Sequence, residues 1–227
     1  MAVKSTKTKN SQKRLLIVDD HPMMRNGLAQ LIDNEGDLKV CAEADNAGQA
    51  INAVSRQKFD LALVDISLPD KNGLELIKDL RALNPALPIL VVSMHDEMLY
   101  AERVLRAGAR GYIMKQEGGQ KFLHAIRRVL EGQVYVSDKM SARILENLSG
   151  HQTGNAGSPV RRLSDREFEV FQLIGQGVST SEIAARLRLS VKTVEVHRLN
   201  IKQKLSVATA TELVRFAVRW LDSQAPK

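Results

Sequence analysis

The stretch LLIVDDHP, Leu15–Pro22, runs four apolar residues straight into two adjacent aspartates. An apolar run without alternation reads as a strand buried on both faces, as in a parallel sheet covered by helices. Two neighbouring carboxylates repel. At the tip of a buried strand they cost stability unless a bound cation or a cationic side chain offsets them. A helix cap is the competing reading, because Asp is a common N-cap and Pro22 suits the first turn.

The pattern around this stretch repeats. RLLIV (14–18), KVCAEA (39–44), LALVDI (61–66), PILVVS (88–93) and RGYIMK (110–115) are apolar, β-rich runs, each followed by an amphipathic helical stretch. Five strands alternating with five helices predict an α/β domain of the doubly wound, flavodoxin-like kind with a five-stranded parallel sheet. Such sheets bind ligands outside the carboxyl ends of their strands. Those ends carry Asp19 and Asp20, Asp65, Ser93 and Lys115. A cap explains only the first pair. Three carboxylates and an ammonium at one edge instead suit a hard cation such as Mg²⁺ beside a group that becomes anionic.

At 227 residues, 44% hydrophobic and 26% charged, the chain is long enough for two globular domains. Its single cysteine, Cys41, excludes an intrachain disulfide and suits a reducing compartment. The longest apolar runs are too short to cross a bilayer, so a cytoplasmic protein without a membrane partner is expected. Net charge is +7, and from Arg161 onward twelve Lys/Arg face seven Asp/Glu, which favours a polyanionic partner. The basic, polar N-terminus reads as a disordered tail over 1–13. The first domain is expected over 14–132. A linker over 133–160 carries SGHQTGNAGSP and a short helix at SDKMSARILENL, and a second domain spans 161–227.

The second domain is patterned as four short helices. Ser179 with Glu182 gives a capping-box signature, and Ser190 opens the next helix. Taking Val194 as inward and stepping about 100° per residue, Ile201 and Leu205 share its face. Lys192, Val196, Leu199 and Gln203 point the opposite way. Glu195 and Lys202 flank one side, and Thr193, Asn200 and Lys204 the other. A basic face is commonly just solvated, but Val196 and Leu199 at its centre are out of place in water. In a major groove they would meet thymine methyls while the lysines meet phosphates, so double-stranded DNA is favoured over a protein partner.

VDD, LVDISLPDKNGLEL, VVSMHD and AGARGYIMK, in this order, resemble the receiver domain of two-component response regulators over about Arg14–Gly132. The resemblance implies that Asp65 accepts a phosphoryl group from a sensor histidine kinase. It implies that Asp19, Asp20, Asp65 and the backbone carbonyl of Ser67 hold Mg²⁺, and that Lys115 pairs with the phosphoryl oxygens. Ser93 would bind the arriving group and Tyr112 would turn inward with it. Gln116 stands where many receivers have proline. LSDREFEVFQLIGQGVSTSEIAARLRLSVKTVEVHRLNIKQKL resembles the LuxR-type helix-turn-helix, and the pair of domains resembles the NarL/FixJ group. This implies base contacts from Lys192, Glu195, Val196 and Leu199, with Thr193 and Lys202 on the backbone and Gln203 and Lys204 beside them. Glu195 stands where many relatives carry lysine. It also implies a homodimer on two-fold DNA half-sites, RNA polymerase as a further partner, and no turnover chemistry.

Two rival readings stand beside this one. A haloacid-dehalogenase-type phosphohydrolase shares the aspartate and the sheet, but needs a second aspartate where Ser67 stands. A constitutive DNA-binding dimer would keep the acidic site without using it. His21 reads as a helix-start residue, His124 as a surface residue, and His95 as a neighbour able to affect phosphoryl loss.

Overall fold

The computed structural model describes residues 12–148 and 159–224. Of the tail expected over 1–13, residues 1–11 lie outside the described residues, as does the stretch 149–158, while Lys13 already belongs to the first strand.

The five strands are β1 (Lys13–Val18), β2 (Leu38–Ala44), β3 (Leu61–Val64), β4 (Ile89–Ser93) and β5 (Gly111–Met114). All pairings are parallel, in the order β2-β1-β3-β4-β5. Chain direction across the sheet reverses between β1 and β3, the topological switch point where such folds place a ligand. Between the strands run α1 (Pro22–Asp33), α2 (Ala47–Arg56), α3 (Gly73–Leu83), α4 (Glu97–Ala107) and α5 (Gly119–Leu130).

Strand side chains alternate between two cores, so β3 and the Leu15–Val18 part of β1 are apolar and buried throughout, whereas the edge strand β2 carries Lys39 and Glu43. Leu16, Val18, Ala62, Val64 and Val91 pack under α2, α3 and α4 with Leu74, Ile77 and Tyr100. Leu15, Ile17, Leu63, Leu90 and Ile113 pack under α1 and α5 with Ile32, Phe122 and Ile126. β3 and β5 end one residue before Asp65 and Lys115, which therefore open the following loops rather than closing the strands.

The segment expected as linker starts as part of the folded unit. Tyr135 returns alongside β5, its carbonyl accepting from Tyr112 N at 2.8 Å, and so covers that sheet edge. Helix α6 (Asp138–Leu148) then packs on α4, with Met140 buried and Ser137 N donating to the buried Glu97 carboxylate at 2.8 Å.

A 3-10 turn (Pro159–Arg162) leads into α7 (Asp165–Gly175), α8 (Thr180–Arg186), α9 (Val191–Leu205) and α10 (Ala210–Gln224). Ser179 and Glu182 form the expected capping box, and Ser164 with Glu167 forms another at α7. Phe168, Phe171, Val194, Ile201, Leu213 and Ala217 close this helical core. It is continuous with the core beneath α3 and α4, because α7 lies against the first domain.

Candidate phosphoryl-acceptor site and nucleic-acid face

Asp19 and Asp65 are buried at neighbouring strand ends, and Lys115 Nζ sits between them, 2.6 Å from Asp19 Oδ2 and 2.8 Å from Asp65 Oδ2. All three side chains are only 2% exposed, so this is an ion triad sealed from water. Burial alone would lower the Lys115 pKa, but the carboxylates of Asp65 and Asp19 outweigh it and hold it above its usual value. Burial pushes the Asp65 carboxyl up, against the pull of Lys115.

Local geometry fixes the acceptor. Asp65 N donates to Val18 O at 2.8 Å, and Ser67 N donates to Asp65 Oδ1 at 3.2 Å. Gly73 N closes the loop on Ile66 O at 2.9 Å. A Cβ at Gly73 would collide with the Asp65 carbonyl oxygen and with Ile66 Cα, so only glycine lets α3 start this close to the acceptor. Arg25 Nη1 donates to the Asp19 carbonyl at 2.6 Å and steadies the first strand end.

The donor set fits a hard cation. Asp19, Asp20, His21 and Asp65 each bring a ligand atom within 4.8 Å of the others. Asp20 Oδ1 is buried without a hydrogen bond and lies 2.7 Å from His21 Nδ1. Asp19 Oδ2 likewise has only the ion-pair contact with Lys115. Carboxylate oxygens lacking donors are what an oxygen-seeking dication completes. His21 caps α1 through its backbone and makes no side-chain cap bond. Its imidazole suits this ion less well than the carboxylates do.

Ser93 closes β4, and Tyr112, expected to turn inward with the phosphoryl group, is inward without it. Ser93 is fully buried and its Oγ accepts from His95 N at 3.2 Å. Tyr112 is turned inward, fully buried, and donates its hydroxyl to His95 O at 2.7 Å; burial pushes its pKa well up. His95 is more engaged than its sequence position suggested. Its Nε2 lies 3.0 Å from Ser67 Oγ, and its ring stacks on Tyr100 with centroids 4.7 Å apart. Burial and the Lys115 charge push its pKa down. His124 is exposed and meets Tyr135 edge-on.

On α9, Val194, Ile201 and Leu205 are buried as expected. Lys192, Glu195, Val196, Leu199 and Gln203 are exposed, Val196 and Leu199 each at 50%. Thr193 and Lys202 are half-buried on the flanks. Lys204 departs from its expected place: its ammonium turns back to Glu167 Oε2 at 2.6 Å, inside the domain. Burial would raise the Glu167 pKa, but Lys204 and Ser164 outweigh it and hold it low. The other expected contacts thus share one outer face, and Lys204 is diverted to hold α9 on α7.

The two domains meet through residues that sequence reasoning left unassigned. Tyr100 donates to Gln172 Oε1 at 2.6 Å, and Asn72 Nδ2 to Glu169 Oε1 at 2.6 Å. Arg103 donates to the carbonyls of Leu163 and Val160 at 3.0 and 2.9 Å and lies 4.0 Å over the Phe168 ring. Lys78 pairs with Asp165 at 2.9 Å. These contacts use α7 and the 3-10 turn, and the outer face of α9 stays open.

Residues 15–127 match the response regulator receiver domain, and residues 161–217 match the bacterial regulatory proteins of the luxR family. The oxygen regulatory protein NreC of Staphylococcus aureus strain MRSA252 is 35% identical over 210 residues, 91% of this chain and 97% of NreC. A structure of RcsB from Salmonella enterica serovar Typhimurium, bound to promoter rprA with the phosphomimetic BeF3⁻, is 26% identical with a TM-score of 0.62. It covers 92% of this chain and 99% of that one. A structure of two RcsB dimers on two parallel DNAs aligns at 26% identity with a TM-score of 0.56, covering 95% and 100%.

Proposed function

Because the chain belongs to the response regulators that join a receiver domain to a LuxR-type DNA-binding domain, we propose that Asp65 is the phosphoryl acceptor through which it regulates transcription. One observation carries this reading: the buried Asp19–Lys115–Asp65 triad at the switch point of the sheet. The donor is a phosphohistidine of a sensor kinase. An Asp65 oxygen attacks phosphorus, and the bond to the donor breaks with its electron pair leaving on the donor. A carboxylate is a weak nucleophile toward an anionic centre, so positioning and charge neutralisation do most of the catalysis. Lys115 exchanges one carboxylate partner for a phosphoryl oxygen, and the Ser93 hydroxyl donates to another. Asp19, Asp20, Asp65 and the Ser67 carbonyl would hold Mg²⁺, which when bound neutralises charge on the transferring oxygens. A DNA-binding regulator acts in the cytoplasm, and no helix among the described residues is long and apolar enough to cross a membrane.

Intact mass after incubation with Mg²⁺ and acetyl phosphate tests the acceptor. One added phosphoryl group is expected on the native chain and none on Asp65→Ala. Equal incorporation in both would remove Asp65 from this role, and no incorporation in the native chain would favour the constitutive DNA-binding dimer.

The outer face of α9 is proposed to enter the major groove, with two copies of the chain on two half-sites as in the RcsB dimers. RNA polymerase follows as a further contact of the DNA-bound regulator. On non-specific duplex DNA, Lys192→Ala and Lys202→Ala are each expected to lower the salt slope by about one. Lys204→Ala is expected to leave the slope unchanged, because its ammonium is held by Glu167. A Lys204 variant that lowers the slope as much as Lys192 would reverse that assignment.

A further inference from the structure

His95 is gripped from four directions. Its N–H donates to Ser93 Oγ, and its carbonyl accepts from Tyr112. Its Nε2 meets Ser67 Oγ at 3.0 Å, two residues past the acceptor, and its ring lies on Tyr100 at 4.7 Å and 29°. Tyr100 in turn is buried, touches Phe168 edge-on and donates to Gln172, both on α7. Three residues around the acceptor therefore converge on His95, two on its backbone and Ser67 on its ring, and that ring rests on a residue bonded to the other domain.

We propose that the His95–Tyr100 stack is the link by which the state of the acceptor site controls docking of α7, and so of the DNA-binding domain, on the receiver. The inference rests on Asp65 being the phosphoryl acceptor. A phosphoryl group on Asp65 places anionic oxygens beside Ser67, Ser93 and Lys115. Charge-assisted hydrogen bonds are roughly twice as strong as neutral ones, so Ser67 Oγ and Ser93 Oγ reorient toward those oxygens. His95 then loses the partner of its ring and the acceptor of its N–H together. The ring leaves the offset stack, and Tyr100 no longer holds its hydroxyl on Gln172. Docking and phosphorylation thereby oppose one another, and the coupling is reciprocal by linkage.

Two substitutions cut the link on either side of the stack. His95→Phe keeps a ring against Tyr100 but cannot bond Ser67. Tyr100→Phe keeps the ring but cannot bond Gln172. The readout is hydrogen exchange of α7 backbone amides in the full-length chain, with Mg²⁺, before and after beryllium fluoride. Intact mass with acetyl phosphate is followed in parallel. In the native chain the mimic should speed α7 exchange. His95→Phe should still take the phosphoryl group, while its α7 exchange no longer responds. Tyr100→Phe should show faster α7 exchange before any mimic is added, by about three- to tenfold for one lost hydrogen bond. A His95→Phe chain that responds like the native one overturns the proposal, as does a phosphorylated native chain whose α7 exchange is unchanged. If the native chain takes no phosphoryl group, the acceptor assignment itself fails and the link falls with it.

Discussion

Replacing Lys115 with methionine is expected to cost the receiver about 3–5 kcal/mol of stability in the absence of divalent cations, the usual penalty for stranding one side of a buried ion pair. Methionine keeps most of the side-chain volume, so the loss isolates the charge. Asp19 and Asp65 would remain 2% exposed with no cation between them. The melting temperature should fall by roughly 10–20 °C for a domain of this size. Three further results separate this cause from a packing defect. Adding Asp65→Asn should recover about 1–3 kcal/mol, because neighbouring charges are not additive. Mg²⁺ should raise the melting temperature of the variant more than that of the native chain, since a dication replaces the missing ammonium and stabilises by mass action.

Acidification should also narrow the gap. Burial already raises the Asp65 pKa with Lys115 present, and removing the lysine removes an opposing pull. A carboxyl whose folded pKa lies above its unfolded value binds its proton more tightly when folded. The variant therefore gains stability as pH falls through the folded pKa toward the unfolded one, and the gain is complete below it. A variant as stable as the native chain in EDTA at neutral pH would show that the triad contributes no net charge balance.

The site was legible because it is written in strand ends. Once apolar runs are placed by period and length, the residue that follows each one must lie at the sheet's edge, and Asp19, Asp65, Ser93 and Lys115 follow directly. The α9 face was legible for a similar reason: a helix has one period, and Val194 fixes its phase. What lay beyond reach were meetings between surfaces. Tyr100 and Arg103 fit an ordinary amphipathic helix, and no periodicity tells α4 that α7 will cover it. Lys204 sits on the correct face by angle, yet a long side chain can turn to a partner on another helix. Tyr135 and Met140 looked like the start of a linker because the sheet edge and helix they cover are remote in sequence.

Arg103→Ala is expected to undock the DNA-binding domain while leaving both domains folded. The Arg103 guanidinium donates to two carbonyls of the chain entering α7, lies 3.4 Å from Asp165 and covers the Phe168 ring, all with 14% of its side chain exposed. Hydrogen bonds to a charged group contribute about 1.5–3 kcal/mol each. Truncating a buried charged partner at an interface costs about 2–5 kcal/mol, much of it from the groups left unpaired. About 3 kcal/mol corresponds to a shift of more than a hundredfold in the docked-to-undocked ratio. Beyond Arg103 the polar contacts are Tyr100–Gln172, Asn72–Glu169 and the part-exposed Lys78–Asp165 pair, beside the apolar packing of Tyr100 on Phe168. The chain's single tryptophan is placed to report it. Trp220 packs edge-on against Phe168 and Phe171 and helps line the cavity of about 370 Å³ between the domains. Undocking should red-shift its emission and enlarge the radius of gyration in solution scattering, with the far-ultraviolet circular dichroism unchanged. Lys78→Ala, which removes an ion pair whose lysine is exposed, should change docking by less than about 1 kcal/mol. Equal effects from the two variants would mean that the contact is held by net charge. The stated hierarchy requires the buried guanidinium to dominate.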